Sequence, residues 1–245
     1  MIFVSNVVAI IQARMGSTRL PGKILKEVLG KPLLEYQIER VRKSKLIDKI
    51  VIATTTDVKE QPLIEVCHKL GLDVYKGSEE DVLSRYYDAA TEYKADLIVR
   101  ITSDCPIIDP IIIDNVVEKY LSGKFDYVSN TLERTFPRGM DVEIFSYKVL
   151  KEAYINSKKA FEREHVTSYI YLNPNLFTLG NVKYSSNESE HRWTVDTIED
   201  FVLIEKIIMH LAEKNFTMED VLYLLNNNPG WKSINAHIEQ KKVGE

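Results

Sequence analysis

Most of the features that assign a protein to a specialised environment are missing from this 245-residue chain. Cysteine is scarce: Cys67 and Cys105 stand far apart and match no zinc or redox spacing, which excludes a disulfide framework and a cysteine-ligated metal. A reducing cytoplasm is therefore the expected compartment. There is no excess of basic charge, since 32 Lys and Arg face 36 Asp and Glu for a net charge of −4, and neither half is segregated. Nucleic acid is thereby excluded as the main partner, because a phosphate backbone needs a basic face. There is no apolar run long enough to span a bilayer. The apolar start Ile2–Ile11 is interrupted by Ser5 and Asn6 and lacks a charged leader, so it reads as a buried strand and not as a signal or membrane anchor. Internal repeats and low-complexity segments are absent too.

What is present is ordinary globular material, 44% hydrophobic and 28% charged, in a length that suits one α/β domain. Short apolar runs at Val7–Gln12, Lys49–Thr54, Leu72–Lys76 and Ala95–Ile101 read as buried strands. Between them Pro32–Ser44, Lys59–Leu70 and Ser78–Tyr93 carry helical periodicity, with Gly71 as a stop and Ser78 as a start signal. Strand–helix repetition at this spacing predicts a mostly parallel sheet covered by helices on both faces. A helix near Asp109–Leu121 and a strand near Asp126–Ser129 continue the pattern. It then loosens between residues 130 and 184 into an excursion suited to an acceptor site or a dimer contact. There, strands at Val142–Phe145 and Leu176–Tyr184 are expected around helices at Tyr147–Asn156 and Phe161–Leu172. A strand at Arg192–Val195 and helices at Thr197–Lys214 and Met218–Asn226 complete a domain over residues 1–240, and residues 241–245 form a frayed tail.

Ligands of such sheets bind beyond the carboxyl ends of the strands. Directly after the first strand runs Ala13-Arg14-Met15-Gly16-Ser17-Thr18-Arg19-Leu20-Pro21-Gly22-Lys23, with three cations, two glycines and two hydroxyls. Glycines expose backbone N–H groups to an anion, Arg offers paired donors to phosphate oxygens, and Lys adds a point charge. Neither common phosphate motif fits. Five residues separate Gly16 from Gly22 where a P-loop has four, Ile24 follows Lys23, and G-x-G-x-x-G is absent. A solvated basic loop has similar composition, but its place at a strand end favours the anion site.

This segment resembles the opening signature of the CMP-sugar synthetases, which activate Kdo and sialic-type acids. It looks closest to the spore-coat polysaccharide cytidylyltransferases of the SpsF type. The likeness extends in order through Thr102–Pro106, Phe136–Phe145, Glu162–Tyr171 and Arg192–Asp200. It implies a Rossmann-like three-layer α/β/α nucleotidyltransferase fold related to the GT-A glycosyltransferases, CTP as donor, Mg²⁺ as cofactor and a homodimer. By the same likeness Ala13, Arg14, Gly16, Ser17, Arg19, Lys23 and Asp104 bind the nucleotide, with Arg14, Arg19, Lys23 and Asp104 carrying catalysis.

Asp104 follows the fourth strand and Asp196 precedes a helix, and the resemblance assigns both to the metal. Mg²⁺ takes one or two carboxylates and completes its octahedron with water and phosphate. Either residue could instead cap the helix after it, and Asp196 with Glu199 reads as a capping box; Asp200 and Glu199 read as surface positions. For the acceptor, Arg138, Asp141 and Glu143 lie in a turn leading into a strand, while Arg163 and His165 lie on a helix. An Arg would pair naturally with a sugar carboxylate, and His165 suits a base or a sugar contact. The expected reaction is transfer of CMP from CTP to a small acidic sugar with release of pyrophosphate. A GT-A-type glycosyltransferase is the rival, although it predicts an Asp-x-Asp motif where this chain has Ser103-Asp104-Cys105. A non-catalytic nucleotide-binding protein, or transfer to a non-sugar acid, also fits a shared fold.

Overall fold

Apolar runs too short for helices, alternating with amphipathic segments, commit the chain to one sheet packed between helical layers. The computed structural model describes residues 5–211 and 214–239. Its elements begin with β1 (Val7–Gln12), a hairpin of β2 (Glu27–Val28) and β3 (Lys31–Pro32), and α1 (Leu33–Val41). Next come β4 (Lys49–Thr55), α2 (Gln61–Lys69), β5 (Asp73–Gly77), α3 (Val82–Glu92), β6 (Leu97–Thr102) and α4 (Pro110–Leu121). The excursion holds β7 (Tyr127–Ser129), β8 (Glu143–Ser146), α5 (Tyr147–Asn156), α6 (Ala160–Glu164), α7 (Ser168–Tyr171) and β9 (Leu179–Asn181). Then follow α8 (Ile198–Leu211), α9 (Met218–Asn227) and the short α10 (Pro229–Lys232). No helix among the described residues is long and apolar enough to cross a membrane.

The seven-stranded sheet runs β5-β4-β1-β6-β8-β7-β9. Its first four strands are parallel, β8 is antiparallel to both neighbours, and β9 is parallel to β7. Residues of β1 alternate between two cores. Val8 and Ile10 pack with Leu83 and Tyr86 of α3 and Leu150 of α5; Ala9 and Ile11 pack with Leu34 of α1, Ile113 of α4 and Ile207 of α8. Ile10 and Ile11 are fully buried, and each such side chain contributes about 1.5–3 kcal/mol by leaving water. That burial on both faces is why β1 is apolar throughout. The chain winds outward from β1 through β4 to β5 and then returns to the other side of β1 as β6. The winding therefore reverses between β1 and β6, whose last residues Gln12 and Thr102 are paired, and such a switch point is where open α/β sheets bind ligands.

Several boundaries differ from expectation for local reasons. Helix α3 starts at Val82, because Asp81 accepts from Ser84 N–H at 2.9 Å, while Ser78 only braces Asp81. The expected strand Arg192–Val195 is reduced to a single parallel bridge between Arg138 and Arg192. Its main chain serves two different loops, Trp193 N–H reaching Arg138 O and Val195 N–H reaching Asp104 O, both at 2.8 Å, so no ladder extends. The expected helix Phe161–Leu172 breaks into α6 and α7 at Val166, a buried residue with φ 59°. The strand expected at Leu176–Tyr184 shrinks to β9, because Leu176 and Phe177 N–H both turn back to Asn173 O. The helix expected at Thr197–Lys214 is present as α8, though residues 212 and 213 lie outside the described residues, as do residues 2–4 of the apolar start and the tail 241–245.

Candidate active site

The loop after β1 is held by a buried acid and by its own apolar residues. Met15 N–H donates to both oxygens of Glu60, at 3.1 and 3.0 Å, and Glu60 is fixed from behind by Thr54 Oγ1 at 2.9 Å. Ser17 and Gly22 N–H then close on Met15 O at 2.9 and 3.2 Å. Gly22 has φ 65°, a left-handed turn that glycine adopts freely, and it launches the short 3₁₀ turn Lys23–Leu25. Leu20 and Ile24 sink into the core. Ala13, Arg14, Gly16, Ser17, Arg19 and Lys23 are left lining a cavity of about 700 Å³ at the switch point, opposite Asp104 and Asp196.

The two carboxylates converge on Lys23, whose Nζ lies 2.7 Å from Asp196 Oδ1 and 3.8 Å from Asp104 Oδ2. Asp196 Oδ2 also receives Arg19 at 3.0 Å and Arg192 at 2.8 Å. Burial raises the cost of charging Asp196, but Lys23 first, then Arg19 and Arg192, outweigh it and hold its pKa below the usual aspartate value. Asp104 Oδ1 accepts from Thr102 Oγ1 at 2.5 Å. A pair of carboxylates converging on one point, with phosphate and water to complete the set, suits Mg²⁺. No cluster of three or more His, Cys, Asp or Glu among the described residues could hold a metal alone.

Asp200 corrects the sequence reading, for it is fully buried and not a surface residue. It accepts from Arg192 Nε at 2.9 Å, from Asp196 and Thr197 N–H at 3.0 Å, and from Asn235 Nδ2 at 2.8 Å. Thr197 Oγ1 accepts in return from Asp200 N–H at 3.3 Å. The capping box of α8 is thus Thr197 with Asp200, not Asp196 with Glu199, and the Asp196 carboxylate is left to face the cavity. Burial works against charge on Arg192, but Asp200 and Asp196 raise its pKa overall. His191 packs on Trp193 beside Glu188, and burial lowers its pKa.

A second cavity of about 400 Å³ adjoins the first, and Thr102 and His165 line both. Of the expected acceptor residues, Asp141, Glu143 and His165 line it. Asp141 takes both guanidinium nitrogens of Arg134, at 2.6 and 2.7 Å. Burial opposes the Arg134 charge, yet the bond to Asp141 raises its pKa overall. Glu143 pairs with Arg100 and accepts from Tyr127 Oη at 2.7 Å and Thr167 Oγ1 at 2.5 Å. The other two expected residues stand apart from both linings. Arg138 is half-buried, and its main chain bonds His191 O at 2.9 Å and Trp193 N at 2.8 Å. Arg163 ties α6 to the start of α3, with Nε 3.0 Å from both Asp81 oxygens and its guanidinium over the Tyr154 ring.

Three arginines of the site escaped the sequence reading. Arg100 was detectable as the lone charge in the apolar strand β6. Arg134 becomes visible only when the excursion folds over the sheet. Arg85 lies on α3, buried, bonded to Ser78 O at 2.8 Å and with Nε unpartnered, and it lines the larger cavity. Burial, reinforced by Arg14, lowers its pKa.

The sequence profile of a family described as Cytidylyltransferase matches residues 8–234. A protein of Methanocaldococcus jannaschii, itself named as uncharacterized, is 40% identical and aligned over 98% of each chain. The spore coat polysaccharide biosynthesis protein SpsF of Bacillus subtilis is 33% identical over 92% of this chain and 96% of its own. The structure of a cytidylyltransferase from Leptospira borgpetersenii superposes with a TM-score of 0.90 at 34% identity, covering 97% of this chain and 100% of that one. With a cation-rich loop at the switch point of a Rossmann-like sheet, and with likeness running almost end to end, the chain belongs to the cytidylyltransferase family.

Proposed function

We propose that the enzyme transfers CMP from CTP to a hydroxyl of a small acidic sugar, releasing pyrophosphate, in the synthesis of a surface polysaccharide or related glycan. The observation that carries this reading is the pair of adjoining cavities meeting at Thr102 and His165. One is walled by the cations after β1, the other by Arg100 and Arg134.

In this reading Arg14, Arg19 and Lys23 hold the β- and γ-phosphates, with Ser17 and the loop amides assisting, and Arg85 adds a buried cation to the nucleotide side. Positioning and charge neutralisation dominate such displacements. The acceptor oxygen attacks the α-phosphorus while the bond to the pyrophosphate oxygen breaks. Asp104 and Asp196 would hold Mg²⁺, which supplies neutralisation of the α-phosphate charge. Arg134 would exchange its own carboxylate partner, Asp141, for that of the acceptor. The proposal includes a homodimer formed through the excursion, and a cytoplasmic site of action in keeping with the free thiols of Cys67 and Cys105.

Calorimetric titration of CTP, UTP, ATP and GTP with Mg²⁺ into wild type and Arg19→Ala tests it. Selective CTP binding, weakened on the order of 10²-fold by the substitution, is expected. Binding of a sugar nucleotide and of no triphosphate would transfer the chain to the glycosyltransferases.

A further inference from the structure

Transfer to a hydroxyl releases a proton, and four of the carboxylates that line the two cavities, Asp104, Asp141, Glu143 and Asp196, are poorly placed to take it. Asp196 faces three cations, Asp141 is clamped by Arg134, and Glu143 accepts from Arg100, Tyr127 and Thr167. Asp104 accepts from Thr102 and faces Lys23. Each already uses acceptor capacity on protein donors.

His165 differs in three respects. Its side chain stands at the seam, lining both the nucleotide cavity and the acceptor cavity, a position shared only with Thr102. Among the described residues its imidazole has no hydrogen-bond or ion-pair partner. Its backbone is also held in an unusual way. Helix α6 ends at Glu164, and Thr167 N–H then returns to His165 O at 2.6 Å, a γ-turn around Val166. Val166 is fully buried at φ 59°, a conformation that a β-branched side chain resists. Such strain persists where surrounding contacts over-determine it, and it gathers at functional sites. Here the constraints are visible: Val166 is buried in the same core as Val8, Tyr86 and Leu150, and Thr167 Oγ1 is bonded to Glu143. The turn fixes His165 between the cavities while Thr167 braces the floor of one of them.

We propose that His165 is the general base of the transfer. A lone pair of its neutral imidazole takes the proton of the acceptor hydroxyl as the hydroxyl oxygen bonds to the α-phosphorus. The bond between that phosphorus and the bridging oxygen breaks, and its electron pair leaves with pyrophosphate. The imidazolium returns its proton to solvent before the next turnover. The assignment rests on the cytidylyl-transfer reading of the site. Charged and titratable groups face the seam from every side: Glu143 and Arg100 from the sheet, Asp104 beyond β6, Tyr171 from α7, Glu164 from α6 and Arg85 from α3.

The test compares wild type with His165→Gln and His165→Ala. Calorimetry gives the Kd for CTP with Mg²⁺, which also reports that the variants are folded. CMP transfer is followed to a panel of 2-keto sugar acids and, in parallel, to water, the slow cleavage of CTP to CMP and pyrophosphate. CTP should bind both variants within about threefold of wild type while kcat falls by about 10²- to 10⁴-fold. The acidic limb of the pH–rate profile should disappear. Added imidazole should restore part of the rate of His165→Ala. A variant that keeps kcat within about threefold, or that loses only acceptor KM and retains the acidic limb, overturns the assignment. Wild type that binds CTP yet transfers CMP to neither sugar acid nor water overturns the transferase reading, and the base falls with it.

Discussion

Replacing Asp200 with asparagine tests the most consequential difference between sequence and structure. As a surface helix residue Asp200 could be changed with little effect, within about 0.5 kcal/mol. In the structure it is fully buried and accepts from the Arg192 guanidinium, from two main-chain N–H groups and from Asn235. Asparagine keeps the shape and one acceptor oxygen, so part of the main-chain bonding survives. The charge opposite Arg192 is lost, and Arg192 is itself only 6% exposed. Removing one partner of a buried ion pair costs about 3–5 kcal/mol, and the retained Asp196 contact argues for about 3. With a urea m-value of about 3 kcal/mol/M, the unfolding midpoint should fall by about 1 M with m unchanged. The thermal midpoint should fall by about 6–12 °C. In the double variant Arg192→Met/Asp200→Asn the loss should be smaller than the sum of the single losses, because the stranded cation is gone. A midpoint shift under about 0.2 M for Asp200→Asn would refute the anchoring role and return Asp200 to the surface class.

Other expectations follow from the same geometry. Lys23→Met should weaken CTP binding on the order of 10²-fold in calorimetry, and unchanged affinity would remove Lys23 from the phosphate site. The pKa of Asp196 is depressed in the folded state. Its stabilising contribution is therefore full above the ordinary aspartate pKa of about 4 and is lost as the pH falls through the lower folded value. Asp196→Asn should flatten the acid limb of stability against pH in urea melts, and an unchanged slope would contradict the ion cluster. Gly139 has φ 101°, and an added Cβ would lie 2.8 Å from the carbonyl of Trp193. Gly139→Ala should accordingly lower stability by more than about 2 kcal/mol in the same assay, with no loss meaning that the two segments are not in contact. Arg163→Ala should leave CTP affinity and acceptor KM unaltered; a rise in acceptor KM would bring Arg163 back to the acceptor.

The parallel half of the fold was legible because its signals are local. β1 and β6 are apolar runs bounded by polar residues, and Gly71, with φ 64°, ends α2 where its position implied. The anion loop was legible for the same reason, since its three cations lie within eleven residues of one strand end. Features that depend on distant segments were not. Thr197 and Glu199 look like ordinary helix-start residues beside Asp200, and only the approach of Arg192 and Asn235 shows which acid turns inward. The break at Val166 has no glycine or proline to announce it, and its cause lies in the core and in Glu143. Arg134 reads as one more charge in a polar stretch until Asp141 folds back on it.

The site's charges are arranged as partners open to exchange, and their exposures rank which can move. Around Asp196, Arg192 is 6% exposed in its side chain, Lys23 14% and Arg19 32%. Arg192 is also tied to buried Asp200, so it cannot leave without stranding a charge. Arg19 has no such tie, and solvent lowers the cost of breaking its pair. An incoming anion should therefore recruit Arg19 first and Lys23 next, with Arg192 staying to keep the Asp196 carboxylate ionised and oriented. The acceptor side follows the same rule with different members. Arg134 faces a partner that is 32% exposed, whereas Arg100 and Glu143 are only 12% and 11% exposed and share Tyr127 and Thr167. Arg134 is thus the cation free to trade Asp141 for an acceptor carboxylate, and Arg100 is part of the wall.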